Sequence, residues 1–420
     1  MWPADDDQSL SLLLLFDFIH VWRMPTFFLL AGFFAHLLLE RRTTKEFIAN
    51  RLKRIAAPLV IFGSLMALLL PVIWIYGWKG SLSIETTLSS FDKGLELDSS
   101  GDLVGHLWFL YYLIIIYIGL ILFRFLAVLK RAIVTISVAW IGFIIMMVYI
   151  NGLGPFPGVS LFMAFGLAII GIITAMSVTI LALSASTLSL VGRTSLGGWA
   201  AKLIYSRVPI LLISSAVILL TVRGVDESRP VWPLNIPDLL YSSIFFLYGY
   251  GLWLNRDLIE KLKSSATLVT LFIVSAVVYY AHLVSAGILE ELSASGKTEL
   301  ISLFETVNIL AYGSAAVLIT LAFIGVFEAA IKGPVKWVRW LADSSYWIYI
   351  IHLPLVAFLS FWLAHLDRDG WLRALTGINW TAEMKFTVVC LLTAALGIIT
   401  YHYLVRYTPI GWLLNGRRDR

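Results

Sequence analysis

Three polar side chains recur at regular intervals beside one of the most apolar runs of this sequence. In FDFIHVWRMPTFFLLAGFF, Asp17, His20 and Arg23 follow one another at spacings of three residues. On a helix these positions share roughly one face. Polar groups near membrane depth must pair with each other or line a wet cavity, so these three are candidates for contact with a substrate. The alternative is an interfacial cap in which Arg23 extends to the lipid headgroups.

A second candidate site begins at His106, which opens the apolar stretch GHLWFLYYL together with Trp108. Imidazole is one of the few side chains that can act as a base near neutral pH, so His106 is a candidate catalytic residue. Capping of a helix is the open alternative for this histidine. An aromatic belt at the membrane surface accounts for Trp108 without any function.

A third stretch, SSYWIYIIHLPLV, places Tyr346, Tyr349 and His352 at intervals of three within a hydrophobic segment, with Pro354 two residues later. A histidine inside a helix bundle is a candidate functional group. The open alternative for His352 is a structural hydrogen bond to a neighbouring helix.

Arg51 and Arg54 lie three residues apart in NRLKRIAAPLV, before a helix whose start Pro58 helps to define. Two guanidinium groups on one helix face can hold a phosphate or a carboxylate through paired hydrogen bonds. They are therefore candidate ligands of an anionic substrate. The alternative is that both are ordinary charges that set the topology of the chain.

The chain that must position these groups is too apolar for a water-soluble domain. Of its 420 residues, 60% are hydrophobic and 14% are charged, and the mean hydropathy is +0.88. These values predict an all-α, polytopic transmembrane helix bundle. Basic loops on one side of a membrane explain the net charge of +5, so nucleic acid is not an expected partner. The single cysteine, Cys390, excludes an intrachain disulfide, and no spacing of histidines or cysteines indicates a metal.

We predict about eleven transmembrane helices, because each crossing takes about 20 mainly apolar residues. The matching runs cover residues 25–40, 55–77, 106–126, 132–150, 159–182, 200–222, 237–254, 266–286, 304–330, 345–364 and 384–405. The loops between them leave no room for a soluble domain, so one domain is predicted over residues 1–420. The segment 10–15 is too short to cross a membrane. We expect it to form a re-entrant or interfacial helix, with Pro25 in the first turn of the helix that follows.

Basic residues are concentrated in alternate loops. ERRTTKEFIANRLKR and every second loop after it are rich in lysine and arginine, whereas the intervening loops carry acids or a mixture. The positive-inside rule then places the basic loops and the C-terminal NGRRDR in the cytoplasm. The acidic start, MWPADDD, then falls outside, which either direct translocation of a short tail or a missing helix before the first predicted span would explain. We therefore expect the chain to be short at its N-terminus.

Several of these stretches together resemble membrane acyltransferase family 3. They are FDFIHVWRMPTFFLLAGFF, NRLKRIAAP, HLWFLYYL, LYGYGLWLNRDLIEKL and SSYWIYIIHLP. Within the family they are similar to the subgroup linked to succinylation of osmoregulated periplasmic glucans. The resemblance runs in order along most of the chain, although residues 130–235 contribute little.

The resemblance implies transfer of an acyl group, succinyl or acetyl, across a bacterial inner membrane. The donor would be cytoplasmic acyl-CoA, which is a substrate and not a permanently bound cofactor. The acceptor would be a hydroxyl group of a periplasmic or other cell-envelope glycan, and membrane lipids would surround the protein. Arg51 and Arg54 match the family's cytoplasmic motif, which implies binding of the donor phosphates. Residues at recurrent family positions are expected in catalysis (His20, Arg23, His106 and His352) or in substrate binding (Asp17, Trp108, Tyr346 and Tyr349).

One departure from the family bears on activity. Family members usually carry another helix before the opening segment, with the proposed catalytic histidine near its end, and its absence agrees with the count of crossings. If the sequence is complete, an inactive relative is one alternative. The other is a transporter or flippase for an acyl or glycan precursor, because polar residues at the centre of a bundle also serve transport. Transporters often contain internal repeats, and their absence from this sequence favours the enzyme.

Overall fold

The computed structural model describes residues 9–81, 105–125, 208–225, 234–253, 257–295, 300–333 and 335–416. Within these ranges every regular element is a helix, as the composition predicts. Six helical stretches in the described residues are long and apolar enough to cross a membrane: Leu10–Arg41, Thr44–Lys79, Ser265–Ser295, Ile301–Ala330, Lys336–Arg368 and Ala382–Val405. Shorter apolar helices cover Trp108–Leu122 and Ile210–Arg223. The predicted spans 132–150 and 159–182 lie outside the described residues.

The described helices are numbered in chain order. They are α1 (Leu10–Arg41), α2 (Thr44–Arg51), α3 (Ala57–Lys79), α4 (Trp108–Phe125), α5 (Val208–Arg223), α6 (Ile236–Leu252), α7 (Asp257–Leu262), α8 (Ser265–Ser295), α9 (Ile301–Ala330), α10 (Lys336–Arg368), α11 (Trp371–Thr376), α12 (Ala382–Thr400) and α13 (Pro409–Asn415). A π-helical turn (Leu52–Ala56) joins α2 to α3, and a second π-helical turn (Tyr401–Val405) extends α12. A 3₁₀ turn (Gly105–Leu107) precedes α4.

Helix α1 is one continuous helix of 32 residues. The predicted interfacial helix with a new start at Pro25 was therefore wrong, because Pro25 lies inside α1. Membrane helices tolerate such a proline when hydroxyl groups and neighbouring helices satisfy the disturbed backbone. The carbonyl that loses its helical donor at Pro25 is that of Val21. Next to it, the Thr26 hydroxyl donates to the carbonyl of Trp22 at 2.9 Å and lies 3.1 Å from the hydroxyl of Thr320 on α9, so a polar contact joins α1 to α9 beside the proline.

A close crossing with α6 fixes the position of α1. A Cβ atom added to Gly32 would lie 1.8 Å from the carbonyl oxygen of Phe246, and one added to Gly249 would lie 1.8 Å from the carbonyl oxygen of Leu29. Small residues at such a crossing let two membrane helices approach until their backbones touch. The LYGYG stretch therefore contributes a packing surface for α1.

The remaining contacts place α1 and α10 beside the other described helices. Helix α1 packs against α9 as well as α6, and α9 pairs along its length with α8. Helix α10 packs against α3 and α12, while α4 and α13 both contact the π-helical turn at Leu52–Ala56. A capping box between Thr43 and Glu46 separates α2 from α1.

Candidate functional site

Four predicted site residues from three parts of the chain come together in a group that we call the histidine cluster: Arg23, His106, Tyr349 and His352. The rings of His106 and His352 meet edge to face, with centroids 5.3 Å apart and an interplanar angle of 86°. The Tyr349 hydroxyl donates to the backbone carbonyl of His106 at 2.9 Å. Arg23 on α1 is close enough to act electrostatically on both Tyr349 and His352.

His106 is oriented by a carbonyl group that Pro354 leaves without its usual helical partner. Proline has no N–H, so the Ile350 carbonyl four residues earlier cannot accept the regular helical hydrogen bond. The Nε2 atom of His106 donates to this oxygen at 3.0 Å. In a neutral ring the lone pair then lies on Nδ1. That atom is buried and has no hydrogen-bond partner among the described residues, so Nδ1 is the atom of His106 that can accept a proton.

His352 and Trp108 differ in how they meet this cluster. His352 donates from Nδ1 to the carbonyl of Tyr349 at 2.6 Å, within its own helix. The Trp108 ring packs against Phe28 of α1 and Tyr112, with centroid distances of 6.3 and 5.5 Å. The described contacts of Trp108 are therefore those of a packing residue beside the cluster.

The structure separates Asp17 from His20 and Arg23. Arg23 Nη2 donates to His20 Nε2 at 3.1 Å, and His20 Nδ1 donates to the carbonyl of Phe16 at 2.7 Å. The Asp17 carboxylate instead accepts from the hydroxyl of Tyr279 at 2.9 Å and from Nε2 of His282 at 3.3 Å. Asp17 therefore turns toward α8, while His20 and Arg23 remain joined to each other.

Sequence patterns alone did not single out His282 or Asn308, which complete the surroundings of Asp17. His282 is 3% exposed, and its Nδ1 atom lies 2.6 Å from Oδ1 of Asn308 on α9. The Ser285 hydroxyl donates to the same oxygen at 3.3 Å. Both ring nitrogens of His282 thus lie within hydrogen-bond distance of side-chain oxygens on two other helices. The signal that could have found them is a histidine and an asparagine inside two predicted spans.

A second polar group, the arginine cluster, contains Asn50, Arg51, Arg54, Tyr117 and Tyr346. The guanidinium carbon of Arg51 lies 5.0 Å from the ring centroid of Phe47 and 4.9 Å from that of Tyr117. In the part of the chain that the structure describes, the buried Nε and Nη2 atoms of Arg51 and Oδ1 of Asn50 have no hydrogen-bond partner. A guanidinium held by two aromatic rings with N–H groups unused is prepared to bind an anion.

Tyr346 joins the arginine cluster to α10. Its hydroxyl donates to the carbonyl of Arg54 at 2.6 Å, which is the carbonyl four residues before Pro58. Tyr346, Tyr349 and His352 follow one another at successive turns of α10. At 1.5 Å per residue, Tyr346 and His352 are about 9 Å apart along the helix axis. One helix therefore contributes side chains to both clusters.

These features define a polytopic helical membrane protein with two polar clusters joined by one long helix, one cluster suited to bind an anion and the other to accept a proton. The chain belongs to acyltransferase family 3: the family model, described as an acyltransferase domain, matches residues 1–402. The resemblance expected from the sequence motifs is thereby confirmed.

Named relatives match a smaller part of the chain. Glucans biosynthesis protein C of Escherichia coli (strain SMS-3-5 / SECEC) is 36% identical over 110 residues, which cover 26% of this chain and 28% of the relative. The protein of the same name from Escherichia coli (strain K12 / DH10B) is 34% identical over 116 residues, 27% of this chain and 29% of the relative. These alignments span less than a third of the relatives' length. No solved structure matches the chain.

Proposed function

We propose that this protein is a multi-pass inner-membrane O-acyltransferase with a cytoplasmic C-terminus. It would take a succinyl or acetyl group from cytoplasmic acyl-CoA and transfer it to a hydroxyl group of an extracytoplasmic glycan, such as a periplasmic glucan. The observation that carries this proposal is that α10 contributes side chains to both clusters, and these side chains are only about 9 Å apart along the helix axis. Membership of an acyltransferase family and the names of the relatives support the reaction class and the acceptor.

The arginine cluster is the proposed donor site. Acyl-CoA carries several phosphate groups, and the buried Nε and Nη2 atoms of Arg51 can donate hydrogen bonds to them. The positive-inside rule places this cluster at the cytoplasmic side, where acyl-CoA is made available. Binding there would direct the thioester toward α10 and the histidine cluster.

The histidine cluster is the proposed site of transfer. Nδ1 of His106 accepts the proton of the sugar hydroxyl while its oxygen attacks the thioester carbonyl. Arg23 stabilises the negative charge on the carbonyl oxygen. The C–S bond then breaks as the new ester bond remains, and the proton passes from His106 to the leaving thiolate, which gives CoA as the free thiol. Tyr349 and His352 hold His106 in place, and His20 orients Arg23.

Arg23 also offers a way to identify the acyl group. A succinyl group ends in a free carboxylate that a guanidinium can bind, whereas an acetyl group has none. If Arg23 holds that carboxylate, Arg23→Gln lowers transfer from succinyl-CoA much more than from acetyl-CoA. Equal losses with both donors would assign Arg23 to the oxyanion alone.

Label transfer tests the proposal directly. Purified protein in lipid nanodiscs is incubated with radiolabelled succinyl-CoA or acetyl-CoA and a periplasmic glucan fraction, and ester-linked label on the glucan is measured. We expect His106→Gln to lower transfer about 100-fold or more, the usual contribution of a general base. The matched control is His402→Gln, because His402 is exposed at the end of α12. Transfer that is unchanged in His106→Gln, or no ester formation by folded wild-type protein, would refute the proposal.

A further inference from the structure

The two arginines of the RLKR motif have different surroundings. Arg54 Nη2 donates to the carbonyl of Asn415, the last residue of α13, at 2.9 Å. The side chain of Asn415 donates from Nδ2 to the carbonyl of Asp343 on α10, also at 2.9 Å. One turn further along α10, Tyr346 donates to the Arg54 carbonyl at 2.6 Å. These three hydrogen bonds, closed by one turn of α10 between Asp343 and Tyr346, form a loop of four residues that we call the Arg54 ring.

The Arg54 ring joins three segments that are distant in the sequence: the π-helical turn at Leu52–Ala56, the C-terminal helix α13 and the first half of α10. Helix α13 also packs against α3 and against the π-helical turn that follows α12. Its leucine at position 414 is buried, whereas Ile410 and Trp412 are exposed. The ring therefore fastens a short amphipathic helix to the end of the bundle that carries the arginine cluster.

The residue after α13 is shaped to fit this contact. Gly416 has a φ angle of +85°, and a Cβ atom added to it would lie 2.6 Å from Nη2 of Arg54. Any other residue would strain the backbone at this φ angle and would also press on the guanidinium. The C-terminal segment is thus built around Arg54 in its observed position.

Arg51 stands outside the Arg54 ring. Its guanidinium contacts the rings of Phe47 and Tyr117, and aromatic rings hold a cation without using its N–H groups. Within the described ranges, Nε and Nη2 of Arg51 make no hydrogen bond, and Oδ1 of Asn50, the preceding residue, is buried without one as well. Two unused donor atoms therefore lie at Arg51, and a ligand with acceptor oxygens can bind them.

We infer that the two arginines divide their work: Arg51 binds the phosphate groups of the acyl-CoA donor, and Arg54 is a positioning residue that fastens α13 to the π-helical turn and α10. The identity of the donor rests on the proposed function. Because Tyr346 belongs to the Arg54 ring, the same hydrogen bonds fix the position of α10 relative to the π-helical turn. Helix α10 in turn places Tyr349 and His352 in the histidine cluster.

Binding of CoA compared with pantetheine tests this division, because pantetheine keeps the thiol arm but lacks the phosphate groups and the adenosine, and only the phosphate contribution should depend on Arg51. Dissociation constants for both compounds are measured by calorimetry on the full-length protein, together with its unfolding temperature. We expect wild-type protein to prefer CoA. Arg51→Gln should lower the preference about tenfold or more, the effect of losing a hydrogen bond to a charged group. Arg54→Gln and Gly416→Ala should keep the preference but lower the unfolding temperature. Gly333→Ala is the matched control, with a φ angle of +89° and nothing within 4 Å of the added Cβ.

The outcomes distinguish a failure of the division of roles between the two arginines from a failure of acyl-CoA as the donor. Gly416→Ala should be less stable than Gly333→Ala, because both replacements strain the backbone but one also displaces Arg54. A preference for CoA that survives in Arg51→Gln, or disappears in Arg54→Gln with an unchanged unfolding temperature, would overturn the division of roles. Wild-type protein that binds CoA no better than pantetheine would instead overturn acyl-CoA as the donor.

Discussion

Replacing Gly32 by alanine should force α1 and α6 apart. The new Cβ would lie 1.8 Å from the Phe246 carbonyl oxygen, so the two atoms must move apart by about 1.7 Å or more to reach an ordinary contact distance of about 3.5 Å. Overpacking of this kind costs about 1–3 kcal/mol. We expect the upper end of that range, because the opposing atom belongs to a helix backbone and cannot turn aside. Arg23 lies nine residues away on α1, about 13 Å along the axis, so acyl transfer should fall as well.

The measurement is the free energy of unfolding in mild detergent, followed by circular dichroism, with label transfer as the second assay. Gly63→Ala is the matched control, because Gly63 is also helical and nothing lies within 4 Å of its added Cβ. That variant should stay within about 0.5 kcal/mol of wild type or gain stability, since alanine is the better helix former. The double variant Gly32→Ala/Gly249→Ala should cost less than the sum of its parts, because both replacements open one crossing. Equal stability of Gly32→Ala and Gly63→Ala would refute the reasoning.

Two further replacements address buried polar contacts. His282→Ala removes hydrogen-bond partners of Asp17 and Asn308 and should lower the free energy of unfolding by about 1–3 kcal/mol. Adding Asp17→Asn should recover part of this loss, because a neutral amide costs less than a carboxylate when its partner is missing. The control variant His402→Ala, at an exposed position, should change little. If His282→Ala unfolds like the His402 control, the hydrogen bonds of His282 do not stabilise the bundle. Pro354→Ala supplies a helical N–H to the Ile350 carbonyl, which accepts from His106. Thermal unfolding should therefore show equal or higher stability. Label transfer should fall several-fold, about the effect of one weakened hydrogen bond. Undiminished transfer would show that this carbonyl does not orient His106.

The helical architecture was predictable because the period and hydropathy of membrane helices are local properties of the sequence. The same local view failed at Pro25, which was assigned to a helix start. Its tolerance inside α1 depends on packing against neighbouring helices, such as α9, whose Thr320 is far away in the chain but lies 3.1 Å from the Thr26 hydroxyl. The number of spans over the whole chain stays a prediction.

The candidate site was predictable only where one helix carries it. The spacing of Tyr349 and His352 along α10 follows from helical periodicity, but the meeting of His106 with the Ile350 carbonyl depends on how α10 packs beside the turn that precedes α4. For the same reason the sequence grouped Asp17 with its neighbours on α1, whereas the structure pairs it with His282. The different surroundings of Arg51 and Arg54 likewise arise from contacts with Tyr117 and Asn415, which no local pattern reveals.

The spacing between Tyr346 and His352 on α10 constrains how this chain can change during evolution. One residue inserted between them would turn the rest of the helix by about 100° and advance it by about 1.5 Å. Whichever cluster kept its contacts, the other would then face the wrong neighbours. The loop before α10 is under no such restriction at Gly333, where nothing lies within 4 Å of an added Cβ. Insertions and deletions among active homologues should therefore collect in that loop and be absent from the segment between Tyr346 and His352, even where the amino acids between the two residues differ.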